Sequence, residues 1–175
     1  MQTFLSQTSS FKHIAKELDN KRLNKQTLEG WQILLAITKL DPQGNYRDPK
    51  GWANHPATKM WRGHETALVS YLSATYFEWI SRGFKSSMLG KIYKTYDIAV
   101  MSGSISQSLT LPSWMQDTEK YEELASTHRV ALLYKNYEWY SKFNWKEDTG
   151  EKPKYYQYLW PDAQGDMYLG TYNAA

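Results

Sequence analysis

Helical periodicity in the segment Asn20 to Ile37, NKRLNKQTLEGWQILLAI, constrains this chain more than any other feature. Arg22, Lys25, Gln26, Glu29 and Gln32 recur at i, i+3, i+4, i+7 and i+10 and share one stripe of a helix, while Leu23, Leu28, Leu34 and Leu35 fall on the other side. Ordinary solvated surface would also explain a polar stripe. Surface helices, however, often gain support from an acid placed four residues before a base, and here the cations precede the acid. One carboxylate ringed by cations and amides points instead to a site for a polyanion.

The remaining periodicity is also helical. Thr8, Ser9 and Ser10 offer N-caps to a short helix carrying Phe11, Ile14, Ala15 and Leu18. Gly30 interrupts the main helix at a cost of about 1 kcal/mol relative to Ala, which suggests a close approach to the backbone beside Glu29. Asp41 and Pro42 end that helix, and residues 43–53 form a polar loop. A second amphipathic stretch runs from Pro56 to Ile80, with Met60, Ala67, Leu68, Tyr71, Leu72, Thr75 and Trp79 on its buried side and Arg82-Gly83 as its stop. Residues 88–101 form a further helix, followed by a Ser-rich loop at 102–108. A third long helix is expected from Glu119 to about Phe143 on Leu124, Val130, Leu133, Tyr137 and Tyr140. No strand-like alternation is evident, so the expected fold is all-α, one domain over 1–175. In this reading a helical core at 1–143 carries an irregular aromatic tail at 144–175.

Composition narrows the chemistry. The absence of Cys excludes disulfides, thiolate metal sites and a thiol nucleophile, and His13, His55, His64 and His128 lack the spacing of a metal site. No apolar run approaches the roughly 18 residues of a membrane span, and the N-terminus has no apolar signal core. A cytoplasmic protein without a membrane partner is expected. The net charge of +3 is mild, but residues 12–25 hold five Lys or Arg against two acids. Eight Trp, fourteen Tyr and five Phe serve mainly packing, with a minority free to stack on bases.

Four collinear segments, LDNKRLNKQTLEGWQIL, NHPATKMWRGHETAL, EWISRGF and HRVALLYKNYEWYSKF, resemble the pyrimidine-dimer DNA glycosylase family of the phage endonuclease V type. The likeness spans roughly residues 15–85 and 125–143. It implies a compact all-α domain with three main helices, acting as a monomer on double-stranded DNA without cofactor or obligate protein partner. It further places Glu29 as the catalytic carboxylate and Arg22 and Gln26 against the lesion and its phosphates. Arg129 becomes a phosphate-binding arginine, with Lys135 two turns along, and Lys25, His55 and His128 complete the expected DNA contacts. For Arg129 the competing reading is an ion pair with Glu122 or Glu123.

One departure concerns the nucleophile. In the family this is the α-amine of a Thr exposed by removal of the initiator Met, whereas Gln2 here should block that removal and leave Met1 to act. An α-amine suits the task better than a lysine: about one in seven is neutral at pH 7, against a few in ten thousand. Lys25 would compete only if burial among cations depressed its pKa. The Met1 role requires the segment MQTF to turn inward under the main helix, anchored by Phe4 and Leu5. The resemblance thus implies glycosylase and abasic-site lyase chemistry through an imine at Met1, assisted by Glu29. A glycosylase for another altered base without strand cleavage, and a non-catalytic DNA-binding module, remain as alternatives.

Overall fold

The computed structural model describes residues 1–174. Over the described residues the chain is 55% helical, with eight α-helices and a two-stranded sheet near the C-terminus. The helices are α1 (Phe11–Glu17), α2 (Asn20–Thr38), α3 (Pro56–Lys59), α4 (Glu65–Ser81), α5 (Met88–Met101), α6 (Ser113–Gln116), α7 (Thr118–Lys135) and α8 (Tyr137–Tyr140). The strands are β1 (Tyr155–Pro161) and β2 (Met167–Ala174). Among the described residues no helix is long and apolar enough to cross a membrane.

Of the three candidate caps Ser10 acts, and Asp19 caps the next helix without having been foreseen. Ser10 accepts from the His13 amide to start α1, and Asp19 accepts from the Arg22 amide to start α2. The main helix packs on α4 and α5. Gly30 belongs to that packing rather than to a ligand, because a Cβ there would overlap the Leu72 side chain on α4. Two long stretches are shorter than their periodicity suggests. Gly63, at φ 82°, separates α3 from α4, and Asn136, at φ −158° and ψ 77°, divides α7 from α8.

The irregular tail is corrected to a β-hairpin. Its antiparallel register pairs Tyr155 with Ala174, Trp160 with Tyr168 and Pro161 with Met167, with an irregularity between Gln157 and Leu159. The Gln157 side-chain amide donates to the Gly170 carbonyl there at 2.7 Å. In the turn, Asp162 accepts from the Gln164 and Asp166 amides and Gly165 takes φ 82°. The strand YYQYLWP does alternate, but between aromatic and mixed positions rather than apolar and polar ones. Tyr156, Tyr158 and Trp160 face the helices, meeting Tyr134, Phe4 and His55 respectively. Tyr155 stacks outward on Tyr172.

The N-terminal segment, buried from Gln2 to Ser6, threads between α2, α4 and α7. Its backbone groups have no neighbouring strand and are satisfied by side chains instead. The Phe4 amide donates to Gln26 Oε1 at 2.8 Å, and the Leu5 amide to His128 Nδ1 at 2.9 Å. The Phe4 carbonyl accepts from the Tyr71 hydroxyl and the Ser6 carbonyl from Arg129. Phe4 and Leu5 anchor it in two adjoining apolar clusters. One end of the chain is therefore held at the centre of the helical layer.

Candidate active site

That segment brings the first residues to α2. The Gln2 amide donates to Glu29 Oε2 at 2.9 Å. Covalent geometry then leaves the Met1 amine within roughly 6–7 Å of the carboxylate. Both line a cleft of about 410 Å³ with Gln2, Phe4, Lys21, Arg22, Lys25, Gln26, Lys135 and Tyr158. Glu29 is the single acid among these ten residues; four are cations. Arg22, Lys25, Gln26 and Glu29 of the sequence-derived stripe thus form one wall of the cleft, with Lys135 of α7 and Tyr158 of β1 on the other, while Gln32 lies outside it.

The cations differ in freedom. Lys21 and Lys25 are exposed. Arg22 is held by Asp19 at 2.9 Å and donates to the Lys135 carbonyl at 3.1 Å, so its guanidinium is fixed at the rim. Lys135 donates to the Tyr156 hydroxyl at 2.9 Å and lies over that ring. The exposure of Lys25 removes the burial on which its competing role as nucleophile depended.

Three expected DNA contacts are turned inward. Gln26 is 1% exposed, and its Oε1 accepts from both the Phe4 amide and the Tyr71 hydroxyl. His128 is fully buried; with Nδ1 accepting from Leu5, its proton sits on Nε2. Burial and then the neighbouring Arg129 charge push its pKa down to about 3, so the ring is neutral. Arg129 pairs with Glu147 at 2.8 Å and Glu122 at 2.6 Å and donates to the Ser6 carbonyl at 2.9 Å. The competing ion-pair reading, with Glu122, describes its surroundings. Its guanidinium is consumed behind the N-terminal strand rather than offered to phosphate. All three residues hold the strand that carries the amine.

His55 stands near the site from another side. Its pKa is lowered by burial and then by the charged N-terminus, and raised by Glu29, so both groups lie within electrostatic reach. Its Nδ1 accepts from the Ala57 amide, leaving Nε2 as a donor when neutral. Sequence reasoning missed Gln2, Phe4 and Tyr158 as cleft walls. Gln2 is 7% exposed, its Oε1 bonded to the Thr3 amide and its Nε2 a buried donor without a partner. Among the described residues no three His, Asp or Glu converge as a metal would need.

A cleft with one carboxylate, an adjacent amine and a cationic rim suits attack on a sugar bearing phosphates. A model of the pyrimidine dimer DNA glycosylase family matches residues 1–91, which contain the N-terminal segment, α2, His55 and α4. No curated protein and no solved structure matches the chain. With the family match covering just over half of its length, including both the N-terminal segment and the helix that carries Glu29, the chain belongs to the pyrimidine dimer DNA glycosylase family of DNA repair enzymes.

Proposed function

We propose that this protein excises damaged pyrimidines, cyclobutane dimers among them, from double-stranded DNA and cleaves the resulting abasic site through an imine at its N-terminal amine. The observation that carries this reading is the Gln2–Glu29 hydrogen bond, which ties the start of the chain to the single carboxylate of the cationic cleft. Lys21, Arg22, Lys25 and Lys135 grip phosphates at the rim as the damaged nucleotide leaves the stack. The amine nitrogen bonds to C1′ while the C1′–N1 bond breaks. The departing base keeps that electron pair and takes the proton the amine gives up, passed across by Glu29.

Expulsion of O4′, which takes a proton, then forms the C1′=N imine. Loss of a C2′ proton expels the 3′ phosphate by β-elimination. Throughout, the Glu29 charge stabilises the cationic sugar. A fixed carboxylate beside the amine serves both tasks and calls for no cofactor, and the cleft of one chain suffices for a monomer.

Glu29→Gln tests the assignment, because Gln keeps the shape and the acceptor for the Gln2 amide but loses the charge. Binding to dimer-containing duplex stays within a few-fold of wild type, and strand cleavage falls by about a thousandfold. Equal losses in binding and cleavage would make Glu29 structural.

A further inference from the structure

From Gln2 inward the N-terminal segment has little freedom. The Gln2 amide is tied to Glu29 and the Phe4 amide to Gln26. The Gln2 side chain accepts from the Thr3 amide at 2.8 Å, and Thr3 Oγ1 accepts from the Trp61 indole at 2.9 Å. Because the Met1–Gln2 peptide is planar, aiming the Gln2 N–H at the carboxylate also sets the Met1 carbonyl carbon and Cα. One rotation that moves the amine then remains, about the Cα–C bond of Met1. It carries the nitrogen round a circle of radius roughly 1.4 Å, so that opposite settings differ by about 2.7 Å. A misplacement of about 1 Å already slows a reaction that depends on near-attack geometry.

The amine itself does not stop that rotation, since among the described residues it enters no ion pair. The other large substituent on the same carbon can. Met1 is half-buried, and its side chain packs against the main apolar cluster. It lines a cavity of about 200 Å³ with Leu35 and Ala36 of α2 and with Leu40, Pro49 and Trp52 of the loop that follows. Met1 also lines the cleft that holds Glu29, so the residue stands between an apolar recess and the site. The amine and Cβ leave one tetrahedral carbon, and a side chain held in the recess therefore decides which way the nitrogen points.

The recess is firmly built. Asp41 Oδ1 accepts from the Gln43, Gly44 and Asn45 amides, and the Arg47 amide donates to the Lys39 carbonyl at 2.8 Å. An unbranched, polarisable methionine adapts well to such an irregular apolar wall.

We propose that the Met1 side chain is the positioning element of the active site: seated in the recess beside α2, it fixes the last free rotation and holds the N-terminal nitrogen toward the Glu29 cleft. Its role rests on that of the amine as nucleophile. It also gives the bulky residue at position 2 a purpose, since Gln2, by blocking removal of the initiator methionine, keeps the anchor in place.

A cleavable N-terminal fusion sets the first residue, so that Met1→Ala and Met1→Leu each carry a free α-amine. Ala keeps Cβ and none of the anchoring atoms, whereas Leu keeps an apolar side chain of similar volume. Both are compared with wild type on abasic duplex for kcat, KM and the rate of borohydride trapping. Met1→Ala lowers kcat and trapping about 5- to 30-fold, the equivalent of leaving one residue's backbone unordered, with KM within about twofold. Met1→Leu restores most of that loss. A Met1→Ala protein that matches wild type overturns the inference and leaves the amine as nucleophile. So does a Met1→Leu protein that falls as far as Met1→Ala, because the thioether rather than a seated side chain would then be required. A loss carried by KM overturns it as well, since Met1 would then bind DNA rather than orient the amine. Wild type that neither cuts nor traps abasic DNA refutes the proposed function itself, and this inference with it.

Discussion

His128 gives the strand that positions the amine a pH signature. Its Nδ1 accepts the Leu5 amide, so protonation would set a donor against a donor in a fully buried site beside Arg129. The folded pKa is about 3 against an ordinary 6.5. A depressed folded pKa contributes stability that is fully present above 6.5 and is lost as pH falls toward 3, because only the unfolded chain takes the proton. Between pH 7.5 and pH 5 the loss is about 2 kcal/mol at 1.36 kcal/mol per unit. In urea that lowers the midpoint by about 1 M for a slope near 2 kcal/mol/M.

Comparison with His128→Asn isolates the term, since the Asn oxygen still accepts from Leu5 and does not titrate. His55, also lowered by burial and the N-terminus, adds in the same direction, and Glu17, raised by burial, acts in the opposite one. Both are common to the two proteins and cancel in the difference. The variant therefore starts less stable but loses less between pH 7.5 and pH 5. Parallel pH profiles for the two would refute a neutral, buried His128 acting as an acceptor.

Two further outcomes separate rim from scaffold. With Lys21, Arg22, Lys25 and Lys135 on phosphates, the log–log salt dependence of DNA affinity has a slope of roughly −3 to −4, and each change to Ala flattens it by about one; titration at several salt concentrations measures this. Arg129→Met leaves that slope unchanged but costs roughly 3 kcal/mol in denaturant unfolding, because the Glu147 carboxylate is left buried without its partner.

The polar stripe on α2 was legible because helical period alone decides which residues share a face, and Glu29 lines the cleft with three other members of that stripe. The inward turn of MQTF was legible through the apolar Phe4 and Leu5, which no exposed end would need. What periodicity cannot convey is which polar side chains face inward. Gln26, His128 and Arg129 sit on faces that look available, and only the threading of an unpaired strand past them creates the demand they meet. The hairpin stayed hidden because Tyr156, Tyr158 and Trp160 face the helices while Tyr155 and Leu159 face away, so both faces read as apolar.

The central claim, an N-terminal amine working beside Glu29, is tested most directly by trapping. Borohydride added during reaction with abasic duplex reduces an imine to a stable amine, and peptide mapping locates the attached sugar. One adduct is expected, on the α-nitrogen of Met1, formed by wild type and abolished by blocking that nitrogen. An adduct on Lys25, or strand cleavage with no adduct at all, would contradict it.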